Sequence, residues 1–252
     1  MSTLQRFHDE IARLLRRIAT EEQEAITRAA TLLADVVARD HLIYVFGTGA
    51  HSYIGAEEMF YRSGGLAAVY PIFDPGVSLA FGARRSTAVE RLVGYAPRVL
   101  AGFPLTSQDA LVIVNAYGIN AVTIEAALWA REHRVPTIAV TSPEFSRATP
   151  ADHPARPPSR QNLCDLVDYM IDTKMPLRDA ALSLDGVKTF PAVYILGGSA
   201  WIGERGGCPI IFIPFQASRP VPVGLYSETV RRLSHRDQGI QANPISSINT
   251  CG

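Results

Sequence analysis

The sequence predicts an α/β fold, a parallel sheet wound on both faces with helices. Three observations carry that prediction. Five short apolar runs recur between residues 42 and 173. Stretches of helical periodicity separate them, and strand–helix alternation of this kind builds βαβ units. The runs are apolar at nearly every position, as strands covered on both faces require.

The elements follow in order. From Thr3 to Arg39 the chain reads as one or two amphipathic helices, with Phe7, Ile11, Leu14, Leu15 and Ile18, then Ile26, Ala29, Ala30, Leu33 and Val37, at helical spacing. The polar stretch "EEQEAITRAA" between them suits a bend. This stripe fits either a cover over the core or a subunit interface. The strand-like runs are "LIYVF" (42–46), "AAVYPIF" (67–73), "ALVIVNA" (110–116), "TIAVTS" (137–142) and "LVDYMIDT" (166–173). Helical patterns cover 53–63, 86–101 and 120–134. The stretch 141–162 is dense in Pro, Ser and Arg and reads as a long loop, a feature that is usually functional or disordered. After Asp185 the pattern weakens. The whole is taken as a single domain over 1–252, with N-terminal helices to residue 40, a sheet core over 41–187 and a divergent segment over 188–252.

Composition sets limits on function. Lys plus Arg is 24 and Asp plus Glu is 24, so no overall charge recruits nucleic acid or an anionic membrane, and any anion site must be built locally. The three cysteines, Cys164, Cys208 and Cys251, have no CxxC spacing, which argues against a zinc site or a disulfide framework and fits a reducing cytoplasm. No apolar stretch is long enough to span a bilayer, and the first residues lack the apolar core of a signal peptide. A cytoplasmic protein without metal or cofactor is expected.

In open α/β sheets ligands bind outside the carboxyl ends of the strands, and two strand ends carry polar turns. The first reads "FGTGAHS". Gly47 and Gly49 let backbone approach a ligand, Thr48 and Ser52 add hydroxyls, and the helix starting near Ser52 offers free N–H groups for an anion. It is neither a Walker loop nor GxGxxG, because Ser52 stands at the third glycine's place. A tight turn holding nothing explains the glycines equally well. The second reads "VNAYGINAVTIEAAL": Tyr117 follows the strand, Gly118 makes the turn, Asn120 is a plausible N-cap and Thr123 lies in the first helical turn. Two polar turns at neighbouring strand ends suggest one pocket.

The run "VFGTGAHSYIGAEEMFYRSGGLAAVYPIFDPG" resembles the start of the sugar isomerase (SIS) domain, in a poorly characterised bacterial branch whose members are labelled phosphosugar or phosphoheptose isomerases. The matching residues are Gly47, Thr48, Gly49, His51, Ser52, Glu57, Glu58, Phe60, Tyr61, Arg62, Gly64 and Gly65, with Ala50 inserted before His51. "NAVTIEAAL", "TSPEFS" with Ser142, the region of Arg160, "DLVDYMID" and "RDAALSLDG" extend the likeness over about residues 1–187. The resemblance implies a five-stranded parallel sheet and homodimers or homotetramers that share sites between subunits. It implies ligands that are sugar phosphates, and isomerase, etherase or sensor activity. No cofactor is generally required, although some heptose-phosphate isomerases bind zinc. The chain departs from the family twice. The usual serines of the second turn are replaced at Val114 and Ala116, and the tail keeps only a faint echo of the family's, with His235 near the expected histidine.

Glu57 and Glu58 are helical neighbours and point about 100° apart, so only one of them is expected to face the cleft. Lifting a proton from the carbon beside a carbonyl needs one such base, and Glu58 is placed ahead of Glu57; a solvated helix face is the bland alternative. His51 suits phosphate binding or ring opening. Arg147, Arg156 and Arg160 surround His153 in the Pro-rich stretch and suit a clamp over an anion, or a solvated loop. Glu125, Asp179 and the arginines at 84 and 85 are weaker candidates, and His8, His41 and His133 read as structural. The expected activity is phosphosugar isomerisation; a non-catalytic phosphosugar sensor and an amino-sugar-phosphate lyase or etherase remain as alternatives.

Overall fold

The structure is a computed structural model and describes residues 1–61, 66–184 and 187–189. Arg62, Gly64, Gly65, Cys208, His235, Cys251 and nearly all of the divergent segment lie outside the described residues.

Helix α1 (Thr3–Glu21) is capped by Ser2, whose Oγ accepts from the Gln5 N–H, and α2 (Gln23–Ala38) follows after a break at Glu22. The bend falls inside the polar stretch, at Glu22. Strand β1 (Ile43–Gly47) leads through a 3₁₀ turn at His51–Tyr53 into the short α3 (Ile54–Met59). Then come β2 (Val69–Pro71), α4 (Ala83–Glu90), α5 (Tyr95–Leu100), β3 (Ala110–Val114), α6 (Ala121–Glu132), β4 (Thr137–Thr141), α7 (Pro143–Ala148) and β5 (Tyr169–Asp172). A hairpin of β6 (Leu182–Leu184) and β7 (Val187–Thr189) closes the described chain.

The five strands β1 to β5 form one parallel sheet in the order β2-β1-β3-β4-β5. Successive residues of a strand point to opposite faces, so each strand feeds two cores. Ile43, Val45, Val112, Val114, Val140 and Ile171 pack under α2 and α3, against Ala29, Ala30, Leu33, Ala56 and Met59. Tyr44, Phe46, Leu111, Ile113 and Ala139 pack under α5 and α6, against Ala96, Leu100, Val122, Ala126 and Ala130. Helix α1 lays Ile11, Leu14 and Ile18 over Met175 beyond the end of β5.

Three expectations need correction. The stretch 141–162 is not all loop, because its first residues form α7. Ser142 caps that helix by accepting the Phe145 N–H, Pro143 sits at its first position and Glu144 in its first turn, a standard set of start signals. The pattern over 86–101 is two helices, broken at Gly94. That residue's left-handed backbone (φ 83°) and N–H, which donates to both Glu125 carboxylate oxygens, turn the chain. Helix α3 stops at Met59, since Phe60 is already extended.

Candidate functional site

The strand order reverses direction between β1 and β3, and the crevice at such a switch point is where open α/β sheets bind ligands. Gly47, the last residue of β1, pairs with Val114, the last of β3, so the two polar turns leave the sheet side by side. The Thr48 N–H still donates to the Val114 carbonyl. Close approach explains the glycines of the first turn. A Cβ at Gly47 would stand 2.4 Å from the Ser52 carbonyl oxygen, and one at Gly55 2.7 Å from a Val114 methyl, where α3 rides against β3.

The second turn is organised by its own side chains. The Asn115 Oδ1 accepts from the Tyr117 N–H at 3.1 Å and the Gly118 N–H at 2.8 Å. Gly118 has φ 63°, and a Cβ there would meet the Thr141 Oγ1 at 2.6 Å. The Tyr117 ring stacks on Phe145 of α7 with centroids 4.4 Å apart. Burial, with Asp179 and Glu90 adding to it, pushes its phenol up to about 12. The hydroxyls of Thr48 and Thr123 lie 2.7 Å apart, both fully buried, and strap the first turn to α6. Asn120 sits at the N-cap of α6 but does not cap it. Its Nδ2 donates instead to Glu90 at 2.7 Å.

Glu90, the last residue of α4, is the group that sequence reasoning missed. Its carboxylate lies in the crevice and bridges the two turns: Oε1 accepts from the Ala50 N–H at 2.7 Å and from the Ser86 hydroxyl at 3.3 Å, and Oε2 accepts from Asn120. Burial raises its pKa above the ordinary carboxylate value, opposed by the Ala50 and Ser86 hydrogen bonds and the His51 charge. Nothing local marks this residue, because "STAVERL" reads as an ordinary polar helix.

On the other side of the same strand ends, a nook of about 10 Å³ is lined by His51, Ser52, Val114, Ala116, Thr173 and Met175, among others. That is room for about one water-sized group. The Thr173 Oγ1 is buried there with no hydrogen-bond partner among the described residues. Thr173 was also missed; its only signal is its place at the carboxyl end of the fifth strand. Val114 and Ala116 supply apolar wall to this nook. Ser52 is buried, His51 is exposed, Glu58 is half-buried and Glu57 is exposed, so the two carboxylates diverge as helical geometry requires.

The remaining candidates are placed elsewhere or engaged. The Ser142 Oγ caps α7 and donates to the Met175 carbonyl. Arg156 holds the Pro-rich stretch together, donating to the carbonyls of Ser146, Thr149, Pro150 and Gln161. Arg147 pairs with Asp165 on the surface, and Arg160 is exposed with φ 55°. Arg85 donates to the Pro75 carbonyl. His133 stacks on Trp129 and His8 bonds its neighbour Asp9. A larger hollow of about 390 Å³, lined by Arg131, Arg134, Asp168 and Tyr169, opens at the amino ends of β4 and β5. That is the wrong end of a parallel sheet for a ligand, and it holds neither polar turn. Among the described residues no cluster of His, Cys, Asp or Glu is gathered to hold a metal, and no helix is long and apolar enough to cross a membrane.

The family profile described as the SIS domain matches residues 6–142. A UPF0309 protein of Brucella anthropi is 36% identical over 194 residues, covering 76% of this chain and 77% of that one. A UPF0309 protein of Streptomyces coelicolor is 39% identical over 183 residues, covering 72% and 71%. Among solved structures, the phosphoheptose isomerase of Neisseria gonorrhoeae is 19% identical, with a TM-score of 0.48 over 68% of this chain and 84% of that one.

Proposed function

The chain belongs to the SIS domain family, alongside the UPF0309 proteins, and from that premise we propose that it binds a sugar phosphate in the crevice between β1 and β3 and isomerises it. The observation that carries this reading is the register of Gly47 with Val114, which sets two polar turns edge to edge at the switch point. The phosphate lies at the first turn, over Gly47 to Ser52, where the 3₁₀ turn and α3 begin. The Ser52 hydroxyl, at the edge of that turn, donates to it. His51 stands at the mouth as the ring-opening acid. Glu58, the half-buried member of its pair, lifts the proton beside the carbonyl and returns it to the neighbouring carbon. The chain works as a homodimer or homotetramer, the assemblies that the SIS resemblance implies.

Thermal-shift titration of the full chain with ribose 5-phosphate, glucose 6-phosphate and inorganic phosphate tests the binding half of this reading. Sugar phosphates stabilise the wild type in a concentration-dependent way, as any ligand of the folded state does. Ser52→Ala weakens them by about 1–2 kcal/mol, the scale of one hydrogen bond to an anion. A wild type unmoved by any of them contradicts the reading.

A further inference from the structure

We infer that the site is closed by its own carboxylate: in the unliganded protein Glu90 occupies the place of the ligand's phosphate at the first turn, and the phosphate enters by displacing it as α4 turns outward about Gly82 and Gly94. The inference rests on the sugar-phosphate reading above and adds how that same site is regulated.

The first turn already holds an anion. Ala50 lies in the middle of the stretch proposed for the phosphate, and its N–H donates to the Glu90 Oε1 at 2.7 Å. The other carboxylate oxygen takes the Asn120 amide at 2.7 Å, at the start of α6. That helix has no side-chain cap, and among the described residues the Ala121, Val122 and Thr123 N–H groups have no acceptor. Donors from both turns therefore converge on one place, and a side chain fills it. The carboxylate also packs on the backbone of the first turn: a Cβ at Gly49 would stand 3.5 Å from its carbon. A phosphate cannot share the Ala50 N–H with an ionised carboxylate at that range, because like charges repel strongly in a partly dry crevice. One of the two anions has to leave.

The carboxylate is held lightly. Among the described residues no Lys or Arg forms an ion pair with it, and an ion buried without a partner of opposite charge is unfavourable. Its third contact is weak. The Ser86 hydroxyl has one proton and gives it first to the Val77 carbonyl, at 2.8 Å against 3.3 Å to Glu90. Helix α4 buries little else. Of its 8 residues only Ser86 is fully buried, Val89 and Glu90 are half-buried, and the rest are exposed. Two glycines bracket it, Gly82 with φ 113° and Gly94 with φ 83°. Neither is crowded: a Cβ at Gly82 would meet only the Arg85 Cβ, at 4.0 Å, and one at Gly94 nothing within 4 Å. A short helix between two such points moves through backbone changes at its ends alone. The Gly94 N–H stays on Glu125 of α6, which makes that end the pivot.

Calorimetric titration of the full chain with inorganic phosphate and with ribose 5-phosphate reads the competition. A ligand that needs a minor open state binds with its affinity reduced by the open fraction. Glu90→Ala removes the competing group, so affinity for both probes rises at least about tenfold; Glu90→Gln, which keeps the shape without the charge, falls between. Hydrogen exchange on the wild type reads the displacement without any variant. Saturating ribose 5-phosphate slows exchange over residues 47–53 and speeds it at least about threefold over residues 83–93, as local release requires. Affinities of both variants within about twofold of the wild type overturn the inference. So does exchange over 83–93 that slows or stays unchanged, which would put the phosphate beside a Glu90 that never moves. Either result leaves the sugar-phosphate reading standing, whereas a wild type and a folded Glu90→Ala that both bind neither probe bring down both.

Discussion

Replacing Thr48 with valine removes a hydroxyl and keeps the shape of the side chain. The Thr48 and Thr123 oxygens are 2.7 Å apart and both residues are fully buried, so the partner hydroxyl is left in a dry site. The cost of an orphaned buried polar group is about 1–3 kcal/mol. The lower end applies if Thr123 turns to a carbonyl of the preceding turn, as helical threonines often do. Thr123→Val costs less, because the Thr48 hydroxyl keeps the Val114 carbonyl as an acceptor at 3.4 Å. Replacing both partners with apolar groups of the same shape is nearly neutral, so the double variant is more stable than the sum of the singles implies. Urea unfolding of the four proteins, followed by circular dichroism, measures this. The expected coupling is about 1 kcal/mol or more, and it shows that a hydroxyl pair joins the first turn to α6. Additivity within about 0.3–0.5 kcal/mol would refute the pairing.

Other outcomes follow from the same structure. Burial opposes the charge of Lys174, but Glu22, Asp172 and Glu21 outweigh it and push its pKa up to about 12 from 10.5. Hydrogen bonding, first from Arg17 and then from Lys174, pulls Glu21 down from 4.5 to about 2. The raised lysine stabilises fully below about pH 10.5 and loses that as pH climbs through about 12; the depressed glutamate stabilises above about pH 4.5 and loses that as pH falls toward about 2. Unfolding midpoints against pH therefore show both limbs in the wild type, and Lys174→Met removes its share of the alkaline one; an unchanged alkaline limb would count against the cluster. Because the Glu90 carboxyl is raised by burial, its charge destabilises the fold progressively as pH rises past the ordinary value. The melting temperature of Glu90→Gln relative to wild type should then be higher at pH 8 than at pH 4, and a flat or reversed difference would refute this. Gly118→Ala puts a Cβ 2.6 Å from the Thr141 Oγ1 at φ 63°, which costs about 1–3 kcal/mol; a loss under 0.5 kcal/mol by urea unfolding would show that the turn relaxes.

The sheet was legible because its strands are buried on both faces and so read as continuous apolar runs. β2 came out shorter than its run, three residues against seven, as an edge strand that pairs on one side only. The break at Gly94 was harder to see. A lone glycine inside a helical pattern is tolerated as often as not, and the partner that fixes it, Glu125, is 31 residues away. Helix α7 was hidden by the composition around it, although Ser142, Pro143 and Glu144 spell a helix start. Within the site, the turns of Gly47 and Gly118 and the divergence of Glu57 from Glu58 follow from local rules. Glu90 and Thr173 do not. Each reaches the crevice only because the sheet order brings separate segments to one rim, and nothing in the residues beside them records that.

The central claim, proton transfer by Glu58 on a bound sugar phosphate, is tested most directly by incubating the protein in heavy water with whichever sugar phosphate stabilises it most and reading deuterium at each carbon by NMR. The account predicts that the wild type exchanges the proton beside the carbonyl. Glu58→Gln, still binding within a few-fold, should lose that exchange by at least about a hundredfold, the usual contribution of a positioned base, while Glu57→Gln keeps it. Exchange at the wild-type rate in Glu58→Gln would remove the proposed base, and a wild type that binds the ligand but never exchanges its proton would make the protein a sugar-phosphate sensor instead of an isomerase.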